Sequence, residues 1–280
     1  MNGADSFASI RIHPTALVAS SAGLGRDTEV GPYAVIEEDV EIGAHCRIAA
    51  HAVLKSGTRM GDGNQVSEGA VIGGPPQDLN YSGEPTQLVI GNENVFREGV
   101  TAHRSTSAAR PTRIGDRNYL MAYVHIAHDC RLGDGVIIAN NVCLAGHIEI
   151  EDQVFISGGV VIHQFTRLGR LSMIGGNAKV IQDVLPFHLV DGIPACTCGL
   201  NLVGLRRVRL PRTEVSALKQ SHRILFSDAS KLEQKLQRLD EIDSESVRRL
   251  AAFIRGSQRG FCGADIRQSR LAAKKEGKAE

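Results

Sequence analysis

Residues 30–66 read VGPYAVIEEDVEIGAHCRIAAHAVLKSGTRMGDGNQV, and a large apolar residue recurs there at every sixth position. The recurrence begins at Ile12 and continues to Val180, with weak positions only at Asp78, Glu84, Ala102 and Ala108. A helix needs an apolar period of about 3.6 residues and a half-buried strand a period of about 2, so neither element alone explains this repeat. The repeat therefore predicts short strands separated by corners and stacked as the coils of a solenoid.

Three six-residue repeats make one triangular coil of 18 residues, and neighbouring coils are expected to pair about 4.8 Å apart. Residues 12–185 then give about ten coils. We expect the large residues to fill the prism, and a second column of small or β-branched residues, four positions on, to fit near the corners. Glycine often follows the large residue, and we expect these glycines to adopt strained turn conformations, as at Gly25, Gly31, Gly43, Gly61, Gly115, Gly133 and Gly169.

Two stretches interrupt the repeat and are predicted to be external loops, residues 73–87 (GGPPQDLNYSGEPTQ) and residues 104–113 (RSTSAARPTR). The fold class predicted is mainly β, with a solenoid domain followed by a C-terminal helical domain. We place the solenoid at residues 1–193, the helical domain at 194–263 and a polar tail at 264–280.

The repeat ends at Pro186, and three helices are predicted beyond it. One covers residues 212–226. A second starts at Ser230, with Glu233 three residues later to complete a capping box. A third starts near Ser244.

The overall composition excludes several classes of protein. Hydrophobic residues make up 42% and charged residues 22%, as in a globular chain. A net charge of +1 argues against a general nucleic-acid binder. No run of about 18 apolar residues predicts a membrane span, and residues 1–10 lack the regions of a signal peptide. The six cysteines fit neither a disulfide framework nor a zinc site, so we expect a reduced, cytoplasmic setting.

Histidines are concentrated in the middle of the repeat, at His103, His125, His128, His147 and His163. Counting in coils of 18 residues stacks His147 over Asp129 and Gly146 over His128. Three interpretations stay open at this point: a solvated surface ladder, a metal site because His is the commonest metal ligand, or a general base.

Several strings resemble the acyl-[acyl-carrier-protein]–UDP-N-acetylglucosamine O-acyltransferases, a family of hexapeptide-repeat enzymes: GGPPQDLNYSGEPT (73–86), MAYVHIAHDCRLGD (121–134), NNVCLAGHIEI (140–150) and GLNLVGLRRV (199–208). The resemblance covers roughly residues 10–262 and implies a left-handed parallel β-helix. It implies transfer of an (R)-3-hydroxyacyl chain from acyl carrier protein to the 3-OH of UDP-N-acetylglucosamine. It also implies a homotrimer whose clefts lie between subunits. We expect no cofactor and no metal.

The resemblance assigns roles to individual residues. His128 matches the family's general base, Asp129 orients the histidine or the sugar, and Gly146 supplies an oxyanion donor through its backbone N–H. The residues matched to substrate binding are Gln77, Asp78, Tyr81, His103, His125, His147, His163, Gln164, Asn201 and Arg207. Asn201 and Arg207 match positions near the nucleotide, and plain surface polarity is the alternative for both.

Gly176 lies 48 residues beyond His128, or roughly 13 Å along the solenoid axis. The resemblance implies that the residue at this position stops the acyl chain. A glycine offers no side chain, so we expect a chain of about fourteen carbons. The alternative is that Gly176 only makes a corner turn.

Three positions depart from the family pattern. Asn80 stands where Lys is usual, and Val203 and Val208 stand where Glu and Arg are usual. These departures leave open how UDP is held and whether a 3-amino sugar is the acceptor. A basic cluster, either a solvated face or a docking site for an acidic carrier protein, consists of Arg206, Arg207, Arg209 and Arg212.

Two other classes compete with the acyltransferase. One is a zinc-dependent hydratase built on the same repeat, and the other is a structural solenoid without enzymatic activity. Metal analysis separates the first from the acyltransferase, and the polar columns beside Gly146 argue against the second.

Overall fold

The structure is a computed structural model that describes residues 9–227 and 229–264, and in it the repeat forms a three-sided prism. Each coil contributes one short strand to each of three sheets, and strands of successive coils pair in parallel. The mainly β solenoid of hexapeptide repeats is therefore confirmed. The left-handed sense of the coil stays a prediction from the resemblance.

The three sheets are called the first, second and third faces. The first face contains β1 (Arg11–Ile12), β4 (Glu29–Val30), β7 (Arg47–Ile48), β10 (Gln65–Val66), β13 (Val95–Phe96), β16 (Tyr119–Leu120), β19 (Ile137–Ile138), β22 (Phe155–Ile156), β25 (Met173–Ile174), β27 (His188–Asp191) and β28 (Cys196–Leu200). The second face contains β2 (Leu17–Val18), β5 (Val35–Ile36), β8 (Val53–Leu54), β11 (Val71–Gly74), β14 (Thr101–His103), β17 (His125–Ile126), β20 (Cys143–Leu144), β23 (Val161–Ile162) and β26 (Lys179–Val180). The third face contains β3 (Gly23–Leu24), β6 (Glu41–Ile42), β9 (Thr58–Met60), β12 (Leu88–Ile90), β15 (Thr112–Ile114), β18 (Arg131–Leu132), β21 (Glu149–Ile150) and β24 (Arg167–Leu168).

Both predicted loops leave the prism between the second and third faces. Residues 75–87 connect β11 to β12, and residues 104–111 connect β14 to β15. Strand partners are 18 residues apart in ordinary coils, 30 apart across the first loop and 24 apart across the second, as in Val53↔Val71, Val71↔Thr101 and Thr101↔His125. Both insertions are multiples of six, which explains why the apolar phase resumes after each loop.

Inward-facing residues fill the prism as predicted. Ile36, Leu54, Ile72 and Ile126 are at most 1% exposed. The first coil is an exception, since Ile12 is 46% exposed. A terminal coil is covered by a neighbouring coil on one side only, so it buries less of its apolar surface.

The glycines that follow the large residues have a different function from the predicted one. None of the seven has a positive φ, and the left-handed corner residues are others, such as Tyr123 and Asp129. A Cβ on Gly25 would lie 2.4 Å from the backbone of Gly43, and a Cβ on Gly43 would lie 2.5 Å from that of Gly61. At the corner that holds Gly25, Gly43 and Gly61, such glycines form a ladder that permits close stacking of the coils. The prediction of strained turns was wrong.

The segment after the repeat contains more regular structure than predicted. An antiparallel pair, β27 and β28, extends the first face, and a short helix α1 (Leu202–Arg207) follows. The next helix, α2 (Arg212–Ser227), is the first of the three predicted helices.

The last two helices test the predicted caps. Helix α3 (Leu232–Asp240) begins after Lys231 and has no side-chain cap hydrogen bond, so the capping box from Ser230 was wrong. Helix α4 (Glu245–Arg255) begins after Ser244, as predicted, and the Ser244 hydroxyl accepts from the Val247 N–H. Helix α3 packs on α2 and α4, and this packing decides where the helix begins.

A second apolar core joins the helices to the end of the prism. Leu171, Leu185 and Phe187 from the last coils pack with Leu218 and Leu250 of the helices.

The domain division at residue 193 stays a prediction. The predicted tail, apart from its first residue, lies outside the described residues. No helix in the described part of the chain has the length and apolarity of a membrane span.

His188 lies in this second contact region. Its side chain is 0% exposed, and burial lowers its pKa to about 4. Its Nδ1–H donates to the Pro186 carbonyl over 2.8 Å, and its ring lies 5.3 Å from that of His222. Burial lowers the pKa of His222 as well. Both imidazoles are therefore neutral in the folded chain at pH 7.

We expect the free energy of unfolding to decrease as the pH falls from 6.5 toward 4. In that range the unfolded chain binds a proton at His188 that the folded chain excludes, so the stability present above pH 6.5 is lost. His188→Phe should flatten the decrease, whereas the exposed His13→Gln should not. Denaturant unfolding at pH 7, 6 and 5, at one protein concentration, measures this, and equal slopes for His188→Phe and wild type would contradict it.

Candidate active site

The corner between the second and third faces holds the main cluster of polar side chains. There the chain passes from β17 to β18 through His128 and Asp129. Asp129 has a φ of 61°, a left-handed conformation that turns the chain. This conformation suits Asp better than most residues, and it directs the carboxylate back to the neighbouring imidazole.

His128 and Asp129 form a hydrogen-bonded pair. The distance from His128 Nδ1 to Asp129 Oδ2 is 2.8 Å, and the two side chains are only 12% and 9% exposed. A carboxylate only accepts hydrogen bonds, so the proton lies on Nδ1. The Nε2 atom of His128 therefore keeps a free lone pair, which is the state that a general base requires.

The second loop holds the carboxylate of Asp129 in place. The Thr106 hydroxyl donates to Oδ2 over 2.9 Å, and the Thr106 N–H lies 3.2 Å from both carboxylate oxygens. The backbone N–H of Asp129 donates to the Thr112 hydroxyl over 2.8 Å. These contacts orient Asp129, and through it the imidazole of His128.

Gly146 lies directly against the imidazole, one coil further along the same corner. A Cβ on Gly146 would lie 2.6 Å from His128 Cε1 and 2.9 Å from Nε2. Its φ is not positive, so the contact rather than the backbone conformation requires glycine. Within the described part of the chain, the Gly146 N–H donates to no other group. It is thus available to a ligand next to Nε2.

His147 completes the corner. Its Nε2 is 3.6 Å from Asp129 Oδ2, as the 18-residue count predicts. Its ring meets that of His128 edge to face, at 5.3 Å and 89°, and stacks on Phe165 at 4.5 Å and 10°. Phe165 fixes the plane of His147 while leaving its edge directed at the carboxylate.

A second pair of histidines lies on the second face beside the corner. His103 Nδ1–H donates to the Pro75 carbonyl over 2.8 Å, and His125 Nδ1 is 2.8 Å from the Thr101 hydroxyl. The rings are 5.1 Å apart. Burial lowers the pKa of both imidazoles, and the positive charge of neighbouring histidines lowers them further. Both are neutral hydrogen-bonding groups at pH 7.

The first loop brings Asp78 within electrostatic range of the corner. The Asn80 N–H donates to Asp78 Oδ1 over 2.9 Å and lowers the pKa of that carboxyl, and charge on His128 and His147 lowers it further. Gln77 is exposed, and Tyr81 donates to the Glu84 carbonyl within the loop.

Three other predicted residues lie in coils closer to the C-terminal end of the prism. His163 and Gln164 are exposed, and Arg259 Nη2 lies 3.4 Å from His163 Nδ1. Gly176 is exposed at the corner between the first and second faces. Its φ is not positive, and a Cβ there would meet only ordinary contacts, 3.7 Å from the Gly158 carbonyl and beyond. Gly176 thus lies in the corner turn, and neither its backbone conformation nor a close contact requires glycine there.

The two residues predicted near the nucleotide differ from each other. Asn201 is only 6% exposed and is the N-cap of α1: its amide donates to the Leu171 carbonyl and accepts from the Gly204 N–H. Plain surface polarity was wrong for Asn201, since burial and two internal hydrogen bonds occupy its amide. Arg207 is exposed, as are Arg206, Arg209 and Arg212 of the basic cluster.

Three side chains of the corner could also hold a metal ion. One ligand atom each from His128, Asp129 and His147 lies within 4.8 Å of the others. In the present arrangement Asp129 Oδ2 already accepts from His128 and Thr106. The base chemistry described above needs no metal.

Four residues of the site escaped the sequence analysis: Thr101, Thr106, Thr112 and Phe165. Thr106 lies in the predicted second loop. Phe165 is 36 residues beyond Asp129, so the coil count could have found it. Thr101 pairs with His125 at a separation of 24, which a count of 18 misses.

The prism and its corner define a class of protein: a hexapeptide-repeat acyltransferase with a histidine–carboxylate pair. Residues 21–56 and 111–146 match the family model "Bacterial transferase hexapeptide (six repeats)". Residues 183–262 match "Udp N-acetylglucosamine O-acyltransferase; Domain 2".

Relatives of known name extend over nearly the whole chain. The acyl-[acyl-carrier-protein]–UDP-N-acetylglucosamine O-acyltransferase of Verminephrobacter eiseniae is 44% identical over 257 residues, 89% of this chain and 98% of the relative. That of Halorhodospira halophila is 44% identical over 254 residues, 90% and 98% of the two chains. This chain belongs to the family of acyl-[acyl-carrier-protein]–UDP-N-acetylglucosamine O-acyltransferases.

Solved structures agree with this assignment. The UDP-N-acetylglucosamine acyltransferase of Francisella novicida superposes with a TM-score of 0.88 at 30% identity, covering 92% of this chain and 96% of that one. The enzyme of Moraxella catarrhalis superposes with a TM-score of 0.87 at 38% identity, covering 89% and 98%.

The contact between Gly146 and His128 gives a direct test of the corner. Gly146→Ala should lower kcat about 100-fold, because the methyl group displaces the imidazole from Asp129 and from the reacting hydroxyl. Gly158→Ala is the matched control, since a Cβ there meets only the Asn140 carbonyl at 3.4 Å. Steady-state kinetics with thermal unfolding of both variants measures this. An active Gly146→Ala variant would exclude close packing of the base on this backbone.

Proposed function

We propose that the protein transfers an (R)-3-hydroxyacyl chain from acyl carrier protein to the 3-OH of UDP-N-acetylglucosamine, the first step of lipid A synthesis. The observation that carries the proposal is the His128–Asp129 pair, with a free Nε2 beside an unused backbone N–H. The names of the relatives supply both substrates.

The reaction needs one proton acceptor and one oxyanion donor. His128 Nε2 removes the proton from the sugar 3-OH as that oxygen bonds to the thioester carbonyl carbon. Negative charge moves to the carbonyl oxygen, where the Gly146 N–H stabilises it. The carbonyl re-forms, the C–S bond breaks, and the thiolate takes the proton from His128. Asp129 keeps the imidazole oriented and stabilises its transient positive charge.

The surrounding polar groups suit the sugar nucleotide. Neutral His103 and His125 offer hydrogen bonds without adding charge next to the base. Gln77, Asp78 and Tyr81 belong to the loop that folds toward the corner, and we assign them to the sugar and phosphates. His147, His163, Gln164 and Arg207 complete the cleft, and Asn201 supports it as the cap of α1.

The acceptor has one alternative. Asn80, Val203 and Val208 replace charged residues that the family usually has around the nucleotide, and Val203 is 56% exposed. A 3-amino sugar nucleotide would react through the same base and give an amide. An assay in which both acceptors are present shows which acceptor the enzyme prefers, because one gives an ester and the other an amide.

A homotrimer is supported by the outward surfaces of the prism. The half of the first face toward the C-terminal end of the prism carries an outward apolar column: Val95, Tyr119, Ile137, Phe155 and Met173. The second face is also largely apolar, and Val161 is 45% exposed. The third face carries charged residues, from Glu41 to Arg167. Two different apolar faces on one subunit suit a closed heterologous ring. Such a ring gives the histidines of the second face a facing wall.

The charge and the cysteines of the chain support the proposed carrier protein and compartment. The exposed basic cluster, Arg206, Arg207, Arg209 and Arg212, suits docking of an acidic carrier protein. None of the six cysteines, all of which lie in the described part of the chain, forms a disulfide, and Cys130 and Cys262 are buried. Cysteines outside disulfides are typical of a reducing compartment, so we assign the protein to the cytoplasm.

The length of the acyl chain is assigned from Gly176. The second face extends from the corner with His128 to the corner with Gly176, and its exposed Val161 offers an apolar surface between them. A chain starting at the base and crossing this surface passes Gly176 unobstructed. His128 and Gly176 are roughly 13 Å apart along the solenoid axis. From this distance we propose a preference for acyl chains of about fourteen carbons.

His128→Ala should lower kcat by about 10² to 10⁴ because the proton acceptor is lost. Its sedimentation should match that of the wild type at the mass of three subunits. Assays use hydroxyacyl carrier protein and UDP-N-acetylglucosamine. A variant that keeps more than half of the wild-type kcat contradicts the role of His128, and a fully active monomer contradicts the trimer.

Gly176→Met should shift selectivity from fourteen-carbon toward ten-carbon donors, because the side chain would occupy the path of the longer chain. The backbone tolerates the change, since φ is not positive and the site is open. The measurement is the ratio of kcat/KM for the two donors. Lys179→Met, on the same coil of the second face, is the control. An unchanged ratio in a folded Gly176→Met trimer removes this residue from length selection.

A further inference from the structure

Three groups of a kind that binds metal ions meet at the catalytic corner: the imidazoles of His128 and His147 and the carboxylate of Asp129. One nitrogen or oxygen atom of each lies within 4.8 Å of the other two. Within residues 9–227 and 229–264, no other three histidine, cysteine, aspartate or glutamate side chains come together in this way. Two imidazoles and one carboxylate are a donor set that suits Zn²⁺ and its neighbours in the first transition series.

The spacing of the donor atoms fits a single ion. Asp129 Oδ2 lies 2.8 Å from His128 Nδ1 and 3.6 Å from His147 Nε2. With bonds of about 2.0 to 2.1 Å, two ligands of a tetrahedral zinc ion are about 3.3 Å apart. The two observed distances lie on either side of this value, so shifts of about half an ångström or less bring the donors to one ion.

The corner already holds two of the three donors in place. The hydroxyl and the N–H of Thr106 bond the Asp129 carboxylate, and Phe165 stacks on the ring of His147. Of the two lone pairs on Asp129 Oδ2, one accepts from Thr106 and the other from His128 Nδ1–H. An ion between Oδ2 and Nδ1 therefore takes the place of the His128 proton and leaves the contact with Thr106 intact.

The corner is open to an ion from solvent. Asp129 and His147 line one end of a groove of about 960 Å³ on the third face, and the side chain of His147 is 35% exposed. The carboxylate of Asp78, in the first loop, lies within electrostatic range of both histidines. Arginines line the rest of the groove, so the end with the carboxylate is the part that suits a cation.

We infer that the catalytic corner is also an inhibitory site for Zn²⁺ and similar divalent cations, which bind His128 Nδ1, the Asp129 carboxylate and His147 Nε2. The inference rests on the proposed function, because the process inhibited is acyl transfer. A neutral imidazole carries one proton, on one of its two nitrogens. When the ion binds Nδ1, that proton moves through solvent to Nε2, and the ring neither gains nor loses a proton. His128 Nε2 then has no lone pair with which to accept the proton of the sugar hydroxyl.

The test starts from protein freed of metal ions with a chelator and assayed with hydroxyacyl carrier protein and UDP-N-acetylglucosamine. Zn²⁺ at saturation should lower kcat at least about ten-fold because the base is lost, and excess chelator should restore it. Mg²⁺ should not inhibit, since it prefers oxygen ligands. Co²⁺ bound to the metal-free protein should show the visible spectrum of nitrogen and oxygen ligands, without the charge-transfer band of a thiolate.

Three variants locate the ion, each compared with its own metal-free rate at equal free Zn²⁺. His147→Gln removes one ligand and should raise the Zn²⁺ concentration for half inhibition at least about ten-fold. His45→Gln is the matched control, because His45 lies 3.6 Å from Asp27 at another corner, in a histidine–carboxylate pair outside the site. Cys143→Ser tests the exposed thiol on the coil after His125. Both His45→Gln and Cys143→Ser should stay as sensitive as the wild type.

The outcomes separate the inference from the proposed function. If the metal-free enzyme and the zinc-loaded enzyme both fail to transfer the acyl group, the proposed function is wrong, and Co²⁺ binding still tests the site. Transfer that requires Zn²⁺ makes the ion a cofactor and overturns the inhibition. An unchanged kcat with Zn²⁺, an unchanged sensitivity of folded His147→Gln, or a loss of inhibition in Cys143→Ser overturns it as well. If His147→Gln does not fold, a thiolate band in the Co²⁺ spectrum of the wild type excludes the corner.

Discussion

The ladder of backbone hydrogen bonds between successive coils is the constraint on which the rest of the molecule depends. Each coil must return to the same three faces, so an insertion is tolerated only at a corner and only when strand pairing resumes in phase. The two loops satisfy this condition by adding twelve and six residues. The same ladder sets His128 and Gly146 one coil apart, which brings an imidazole and a backbone N–H together.

The periodicity predicted most of the prism because inward positions repeat locally. Inward residues such as Leu54 and Ile126 are fully buried, and both loops leave where the repeat breaks. The reason for the glycine column could not be found in this way. The clash that excludes a side chain at Gly25 involves Gly43 on the next coil, and a contact of that kind depends on the pitch of the stack. The cap of α3 failed because tertiary packing decided where that helix begins.

The candidate site was predicted in part. Coil counting stacked Gly146 on His128 and His147 on Asp129, and the structure has both contacts. Counting failed where a loop intervenes, as for Thr101 and His125, because the separation changes from 18 to 24. Coil counting also does not predict the direction of side chains that lie outside the repeat. The burial of Asn201 depends on how α1 meets the last coil, through the Leu171 carbonyl.

A corner of the prism suits group transfer for a geometric reason. Three parts of the reacting system must diverge from one carbonyl carbon: the attacking sugar, the acyl chain and the leaving sulfur with its arm. A flat surface offers them one plane, whereas a corner offers two faces and, here, the loop over it. The neutral state of His103 and His125 matters in this setting, since burial lowers the pKa of both. Their burial therefore keeps two hydrogen-bonding groups next to His128 without adding positive charge where its transient imidazolium must form.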